Sequence, residues 1–236
     1  MIQFDALDRF GVVAAMSEKT DGDFSLRDPA TVDAARKARL AFCRHLGLDA
    51  RELVCPQQVH RTAVARVGEG ERGRGALAWD TGLPSTDGLV SCVPGLPMAI
   101  LTADCVPIYL FDAHHRVGGL IHAGHQGTQR NIAGRAIRAL HQYFNTSPET
   151  VHAVVGPSAG PCCYQVSREA ADAFARLGLP TTGRNLDLWQ ANADQLAASG
   201  VPRRQISIIG TCTICDVHFH SYRRGAAERN IAVISL

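Results

Sequence analysis

Residues 88–121 read GLVSCVPGLPMAILTADCVPIYLFDAHHRVGGLI and form the densest apolar block of the chain. It contains four short and largely apolar runs, at 88–92, 97–101, 107–111 and 117–121. Runs of this kind are typical of strands that are buried on both faces. Pro, Gly, Asp and His residues separate the runs and mark turns. The stretch therefore predicts the centre of a buried sheet.

The rest of the chain adds strands and helices on both sides of this centre. Further strands are predicted at 12–16, 53–59, 63–67, 151–155, 205–209 and 231–235. Apolar residues at helical spacing predict helices at 29–46, 128–144, 167–177 and 188–198, with Asp28 as the cap of the first one. Residues 68–84 are rich in Gly, Arg and Glu and predict an exposed loop. Because strands and helices mix without regular alternation, we expect a single α/β domain over residues 1–236, layered α/β/α around a mixed central sheet.

Composition excludes several classes of protein. The chain has 236 residues, 46% of them hydrophobic and 19% charged, which is an ordinary globular composition rather than a disordered one. Its 24 basic residues are scattered and balanced by 22 acidic ones, so no nucleic-acid partner is expected. No segment reaches the ~20 apolar residues of a membrane span, and the first residues lack a signal-peptide pattern. We therefore expect a cytoplasmic protein without a membrane partner, whose eight cysteines are mostly free thiols.

Reactive side chains follow the ends of several predicted strands. His60, Cys105 and His122 together offer two imidazoles and one thiol, a donor set that is familiar in zinc sites. Three protein ligands leave a fourth position open, which is typical of a catalytic zinc rather than a structural one. The same set could also hold copper. Each residue alone is equally compatible with an ordinary role, as a hydrogen-bonded His or a small buried Cys.

Two further motifs are ambiguous. Cys212 and Cys215 form a CxxC, but a zinc ribbon needs a second CxxC, and the adjacent pair Cys162-Cys163 is not one. We therefore expect these cysteines to be ordinary thiols, with Cys212 near the cleft. Arg223 follows a Tyr and could contact an anion or a ring, or belong to a solvated surface pair.

The order of the motifs carries more information than any one of them. The motifs that matter are Gln58-Val59-His60, TADCVP at 102–107, His122-Ala123-Gly124, GPSAGPCCY at 156–164, Leu186-Asp187-Leu188, Cys212-Thr213 and SYRR at 221–224. In this order the chain resembles the YfiH family, a bacterial group of purine nucleoside phosphorylases and adenosine deaminases formerly described as multicopper polyphenol oxidases of the laccase type. The resemblance runs from about residue 55 to the C-terminus.

The resemblance implies a zinc centre built by His60, Cys105 and His122, which would then be the catalytic residues. It also implies an α/β/α fold related to cysteine hydrolases. The implied activities are phosphorolysis of adenosine, inosine, guanosine and methylthioadenosine, and deamination of adenosine. One departure bears on phosphate: where the family has an Arg, this chain has Gln126, so Arg130 or Arg135 is a candidate replacement. The segment before residue 30 departs from the family as well, and it bears on the substrate pocket.

The leading hypothesis is thus a zinc-dependent enzyme whose partners are a small-molecule nucleoside and phosphate. Asp104 and His125 are candidates to bind the substrate and move a proton, and Arg223 is a candidate clamp for anionic charge. A metal-free hydrolase or amidase, with Cys105 as nucleophile and His122 as base, is the first alternative. A copper-dependent polyphenol oxidase and a nucleoside-binding protein without turnover are the others. A laccase needs a trinuclear copper cluster with many histidines, and the chain has ten His, with one HxH pair.

Overall fold

Twelve strands and six helices make up the structure, a computed structural model that describes residues 1–236. The strands are β1 (Ile2–Gln3), β2 (Val13–Met16), β3 (Val64–Arg66), β4 (Gly88–Ser91), β5 (Met98–Thr102), β6 (Val106–Asp112), β7 (Val117–Ala123), β8 (Val151–Val155), β9 (Thr181–Thr182), β10 (Asn185–Leu186), β11 (Ile206–Ile208) and β12 (Asn230–Ser235). The helices are α1 (Asp5–Asp8), α2 (Val32–His45), α3 (His125–Gln129), α4 (Ile132–Phe144), α5 (Arg168–Arg176) and α6 (Leu188–Ala198). None of the helices is both long and apolar enough to pass through a lipid bilayer.

The strands form two large sheets. The six-stranded sheet has the order β11-β8-β6-β7-β4-β3, with parallel pairs at both edges and antiparallel pairs between them. The four-stranded sheet has the order β1-β2-β12-β5 and is antiparallel throughout. Strands β9 and β10 form a separate small hairpin.

Alternation along the buried strands explains how these layers pack. Successive side chains of a strand point to opposite faces of its sheet. In β6, Ile108 and Leu110 lie in the cluster that includes the buried faces of α4, α5 and α6. Tyr109 and Phe111 lie in the cluster that joins the two sheets. A third cluster includes Phe42 of α2 and covers the other face of the four-stranded sheet. The layers therefore run helix, sheet, sheet, helix.

The predicted α/β architecture with a mixed sheet is confirmed, and the four apolar runs of residues 88–121 are β4 to β7. The structure differs in having two sheets and four layers where one sheet and three layers were expected. The reason is that β5 pairs with β12, near the C-terminus, and not with the strands that surround it in sequence. Apolar runs show that a strand is buried but not which strand it pairs with.

Two predicted elements are wrong in detail. Residues 53–59 are not a strand and make only single bridges at Val54 and Pro56. Proline has no N–H to donate, and the Gln58 side chain instead pairs with the backbone N–H and C=O of Leu101, at 2.8 and 2.7 Å. The predicted helix at 128–144 is divided into α3 and α4. Asn131 lies between them in the left-handed region (φ 57°), and its side chain caps α4.

The region around α2 also needs correction. The Asp28 side chain accepts a hydrogen bond from the Ala30 N–H at 2.9 Å and closes a turn, so the helix begins only at Val32. Residues 68–84 were expected to be an exposed loop, yet part of it packs on the core. The buried guanidinium of Arg39 donates to the carbonyls of Gly75 and Ala76 at 2.8 Å each. This contact holds the loop against the molecule.

Candidate functional site

His60, Cys105 and His122 meet at one place although they come from three parts of the chain. His60 lies before β3, Cys105 lies in the turn between β5 and β6, and His122 lies near the end of β7. Their ligand atoms all lie within 4.8 Å of one another. A Cβ atom added at Gly124 would lie 3.0 Å from the Cys105 sulfur and 3.2 Å from the His60 ring, so this close approach requires glycine. The backbone is thus shaped to bring together three side chains that could hold a metal ion.

Asp87 organises two of these three residues, and the sequence analysis missed it. Its fully buried carboxylate accepts hydrogen bonds from the backbone N–H groups of Val59, His60 and Arg61, the last two at 2.9 and 2.8 Å. It also accepts from His122 Nδ1 at 2.9 Å. Because Nδ1 is engaged with Asp87, Nε2 is the nitrogen of His122 that is left to bind a ligand. One feature of the sequence could have identified it: a charged residue stands directly before the buried strand β4.

The same contacts set the charge states of the centre. Burial raises the pKa of the Cys105 thiol, but the charge of His122 and hydrogen bonds to His122 and His60 outweigh it and lower the pKa to about 6. Burial lowers the pKa of His122, but the Cys105 thiolate and the hydrogen bond to Asp87 raise it to about 9. Without a metal, the two side chains therefore form a thiolate–imidazolium pair at neutral pH. A thiolate is also the form of cysteine that binds metal.

Asp104 faces the candidate site but its carboxylate is already occupied. One oxygen accepts from the Thr213 hydroxyl at 2.7 Å, and the other accepts from the Ser221 hydroxyl at 3.0 Å and the Arg223 N–H at 2.7 Å. Its backbone lies in the left-handed region (φ 82°), which directs the next residue, Cys105, toward the histidines. This arrangement favours a positioning role for Asp104 over the proton transfer that the sequence suggests.

A cavity of about 480 Å³ opens in front of the three residues. This size is within the range of small-molecule sites. His125 and Tyr164 line it, and His125 Nδ1 lies 3.4 Å from the Tyr164 hydroxyl. Burial is the largest cause that lowers the pKa of His125, and charge interactions with His60, Arg223 and Arg130 lower it further, so this ring is neutral at neutral pH. A neutral imidazole in such a place can accept or share a proton.

Four arginines line the cavity: Arg27, Arg39, Arg223 and Arg229. The guanidinium of Arg223 lies over the Tyr164 ring, 4.6 Å from its centroid, and that of Arg27 lies 5.1 Å from the centroid of Trp79. Arg223 is a predicted site residue, and Arg27 lies in the segment before residue 30 that was expected to bear on the substrate pocket, but Trp79 was not predicted. A Trp within the Gly-rich segment 68–84 could have indicated a binding surface, because a large aromatic side chain is unusual in an exposed loop. Arg39 also lines the cavity, but backbone carbonyls and the Cys55 sulfur occupy its donors.

The candidate replacements for the missing family arginine lie elsewhere. Neither Gln126 nor Arg130 nor Arg135 is among the residues that line the cavity. Arg135 instead donates to the backbone carbonyl of Arg130. The arginines that line the cavity are therefore better placed to meet an anion there than Arg130 or Arg135.

Comparison with known proteins identifies the family. The profile of the family described as multi-copper polyphenol oxidoreductase laccase matches residues 9–236. The chain belongs to this family. Among solved structures, the hypothetical protein YfiH of Bacillus licheniformis superimposes with a TM-score of 0.93 at 29% identity, covering 100% of this chain and 96% of that one.

Curated relatives carry names of nucleoside enzymes. The purine nucleoside phosphorylase YlmD of Geobacillus stearothermophilus is 33% identical, over 95% of this chain and 90% of the relative. The adenosine deaminase RL5, from an unknown prokaryotic organism, is 33% identical over 79% of this chain and 75% of the relative. The family description thus mentions copper oxidation, whereas these relatives are named for reactions on purine nucleosides.

Proposed function

We propose that this protein is a zinc-dependent purine nucleoside enzyme, which cleaves nucleosides with phosphate and deaminates adenosine. The observation that carries the proposal is the meeting of His60, Cys105 and His122 at the base of a cavity of nucleoside size. The names of the relatives point to the same substrate class. Adenosine, inosine, guanosine and methylthioadenosine are the nucleosides to test.

The donor set fits one zinc ion better than a copper cluster. Two imidazoles and a thiolate, with Asp87 behind His122, match the ligands and the supporting hydrogen bond of a catalytic zinc site. A single copper of the blue type takes a weak axial Met, yet none of the three Met residues lines the cavity, and Met16 and Met98 are buried in the core between the sheets. The histidines of the HxH pair are engaged elsewhere, His218 with Asp216 and His220 with the Gly22 carbonyl. A bound zinc ion would supply Lewis acidity at the end of the cavity.

The residues of the cavity wall can then be given roles. Trp79 and Tyr164 offer aromatic faces for a purine base. Arg27 and Arg223 offer guanidinium groups that match the geometry of phosphate. In phosphorolysis a phosphate oxygen bonds to the ribose C1′ as the bond from C1′ to the base breaks, and the departing base takes up a proton. In deamination water adds at C6 of adenosine and ammonia leaves.

Neutral His125 is the residue placed to exchange these protons, with the Tyr164 hydroxyl beside it. Asp104 ties the turn that carries Cys105 to Thr213 and to residues 221–223. It therefore keeps Cys105, a proposed metal ligand, close to Arg223. In this scheme the protein accelerates the reaction mainly by holding the nucleoside, the phosphate and the proton-transferring side chain in the right relative positions.

A metal-free cysteine hydrolase is a second candidate, because Cys105, His122 and Asp87 are linked like a nucleophile, a base and an orienting acid. His60 would have no role in such a triad, whereas it completes the ligand set of a metal site. Its position therefore favours the zinc enzyme over the cysteine hydrolase. The two candidates are separated by incubating purified protein with adenosine, with and without phosphate and a strong chelator, and analysing products by chromatography.

We expect adenine to form only when phosphate is present and inosine to form with or without phosphate. The chelator should abolish both products. The Cys92→Ser variant is the matched control, because Cys92 is an exposed cysteine outside the site. Activity that survives complete metal removal would reject the zinc enzyme and favour the hydrolase.

A further inference from the structure

Four of the eight cysteines meet at a second place. Cys162 and Cys163 lie in the turn after β8, and Cys212 and Cys215 lie in the turn after β11. Their sulfur atoms all lie within 4.8 Å of one another. The Cys215 sulfur is 3.1 Å from that of Cys163 and 3.6 Å from that of Cys162. The sequence predicts ordinary thiols here, and the structure adds that the four side chains are neighbours.

The spacing fits one tetrahedral ion. Four sulfurs at ~2.3 Å from a central zinc lie about 3.8 Å from one another, which is inside the observed range. An iron–sulfur cluster holds its cysteines farther apart, because several iron and sulfide atoms lie between them. Tetrahedral coordination by four sulfurs is typical of zinc once such a cluster is set aside.

The surroundings of the four cysteines are suited to thiolate ligands. The Gly160 N–H donates to the Cys212 sulfur at 3.3 Å, which orients that side chain. The Arg224 guanidinium donates to the carbonyls of Thr213, Ile214 and Asp216, so it fixes the turn that carries two of the cysteines. A zinc ion with four thiolates has net negative charge, and this arginine places positive charge beside it. Arg224 thus holds the turn in shape when no ion is bound, and it balances part of the negative charge when zinc is bound.

We propose that Cys162, Cys163, Cys212 and Cys215 bind one structural zinc ion. Four protein ligands fill the tetrahedral shell and leave no position for a substrate. The ion would tie together one turn that leads into the cavity wall and another that holds a residue of that wall. Tyr164, which directly follows one pair, lines the cavity, and Thr213 holds Asp104. Zinc at this place would therefore keep the cavity wall fixed rather than take part in a reaction.

Metal content by elemental mass spectrometry tests the proposal. Wild-type protein and the Cys92→Ser control should each hold two zinc ions per chain, and Cys162→Ser/Cys215→Ser should hold one. The Cys105→Ala variant should also hold one, which separates this site from the proposed catalytic site. A double variant that keeps as much zinc as the wild type would overturn the proposal, as would iron or copper in place of zinc.

A second measurement covers the case in which the double variant does not fold. The Cys105→Ala protein, stripped of metal and given Co²⁺ alone, should show the intense thiolate-to-cobalt absorption of a tetrahedral sulfur site, and one equivalent of Zn²⁺ should abolish it. Thiol titration of metal-free wild-type protein, denatured without reductant, should find all eight cysteines reactive. Absence of the cobalt spectrum, or a count of six or four thiols from disulfide bonds, would contradict a zinc site.

Discussion

Replacing Asp87 with Asn removes the charge that organises both histidines of the centre while keeping the size of the side chain. The amide oxygen can still accept from His60 N–H and His122 Nδ1, each at 2.9 Å from the same carboxylate oxygen. The amide nitrogen then faces the Arg61 N–H, which donates at 2.8 Å to the other oxygen, and two donors cannot bond. The variant therefore leaves the new amide nitrogen, which is buried, without an acceptor on this side, and it breaks the hydrogen bond of the Arg61 N–H.

An unpaired buried donor costs about 1–3 kcal/mol of stability. Loss of the supporting carboxylate behind a metal-binding His typically costs 10–100-fold in metal affinity. We therefore expect Asp87→Asn to lower the free energy of unfolding by about 1–3 kcal/mol in urea. We also expect it to weaken zinc binding at the His60, Cys105 and His122 centre about 10–100-fold, measured by competition with a chromophoric chelator.

The matched control is Asp112→Asn. Asp112 is also fully buried and contacts a histidine, with 2.7 Å between its carboxylate and His115 Nδ1, but it lies at the end of β6 away from the centre. Its replacement should cost similar stability and leave zinc affinity unchanged. Equal zinc affinity in Asp87→Asn and the wild type, or equal weakening in the two variants, would refute the reasoning.

Other changes probe the cavity, the thiol and the core separately. Arg27→Ala and Arg223→Ala should each raise the KM for phosphate about tenfold or more, since each loses a charge-assisted contact, and an unchanged KM in both would place phosphate elsewhere. In metal-free protein the rate of Cys105 alkylation should rise with pH up to about 6 and be flat above pH 7; an increase that continues beyond pH 8, as for an ordinary thiol, would contradict the thiolate–imidazolium pair. Arg39→Met should lower the free energy of unfolding by about 3 kcal/mol or more, because the carbonyls of Phe24, Gly75 and Ala76 lose their buried donor. A loss below about 1 kcal/mol in urea would show that the 68–84 loop is held by other contacts.

Much of the local structure follows from the sequence, because buried strands and helices with clear ends leave strong patterns. Strand β8 and helix α6 lie at the predicted residues 151–155 and 188–198. The break at Asn131 was missed because an Asn within an apolar helical pattern does not reveal a left-handed backbone. The second sheet was missed because pairing between β5 and β12 joins residues more than a hundred positions apart.

Some residues of the candidate site could be predicted from the sequence and others could not, again because contacts between distant segments leave no local pattern. His60, Cys105 and His122 follow the ends of predicted strands and belong to a recognisable donor set, and the family resemblance pointed to the same three residues. Asp87 and the four-cysteine cluster depend on which segments become neighbours, and no spacing in the sequence states that. The adjacent Cys162-Cys163 pair lacks the CxxC spacing of a zinc ribbon, yet the fold brings it to a CxxC from another turn.

A catalytic metal centre at His60, Cys105 and His122 is tested by measuring zinc content and adenosine turnover on the same preparations of wild-type protein and Cys105→Ala. Wild-type protein should hold one zinc ion more per chain than the variant, and it should convert adenosine to adenine in the presence of phosphate, while the folded variant should not. Equal zinc content in the two proteins, or full turnover by the variant, would contradict a metal centre at His60, Cys105 and His122.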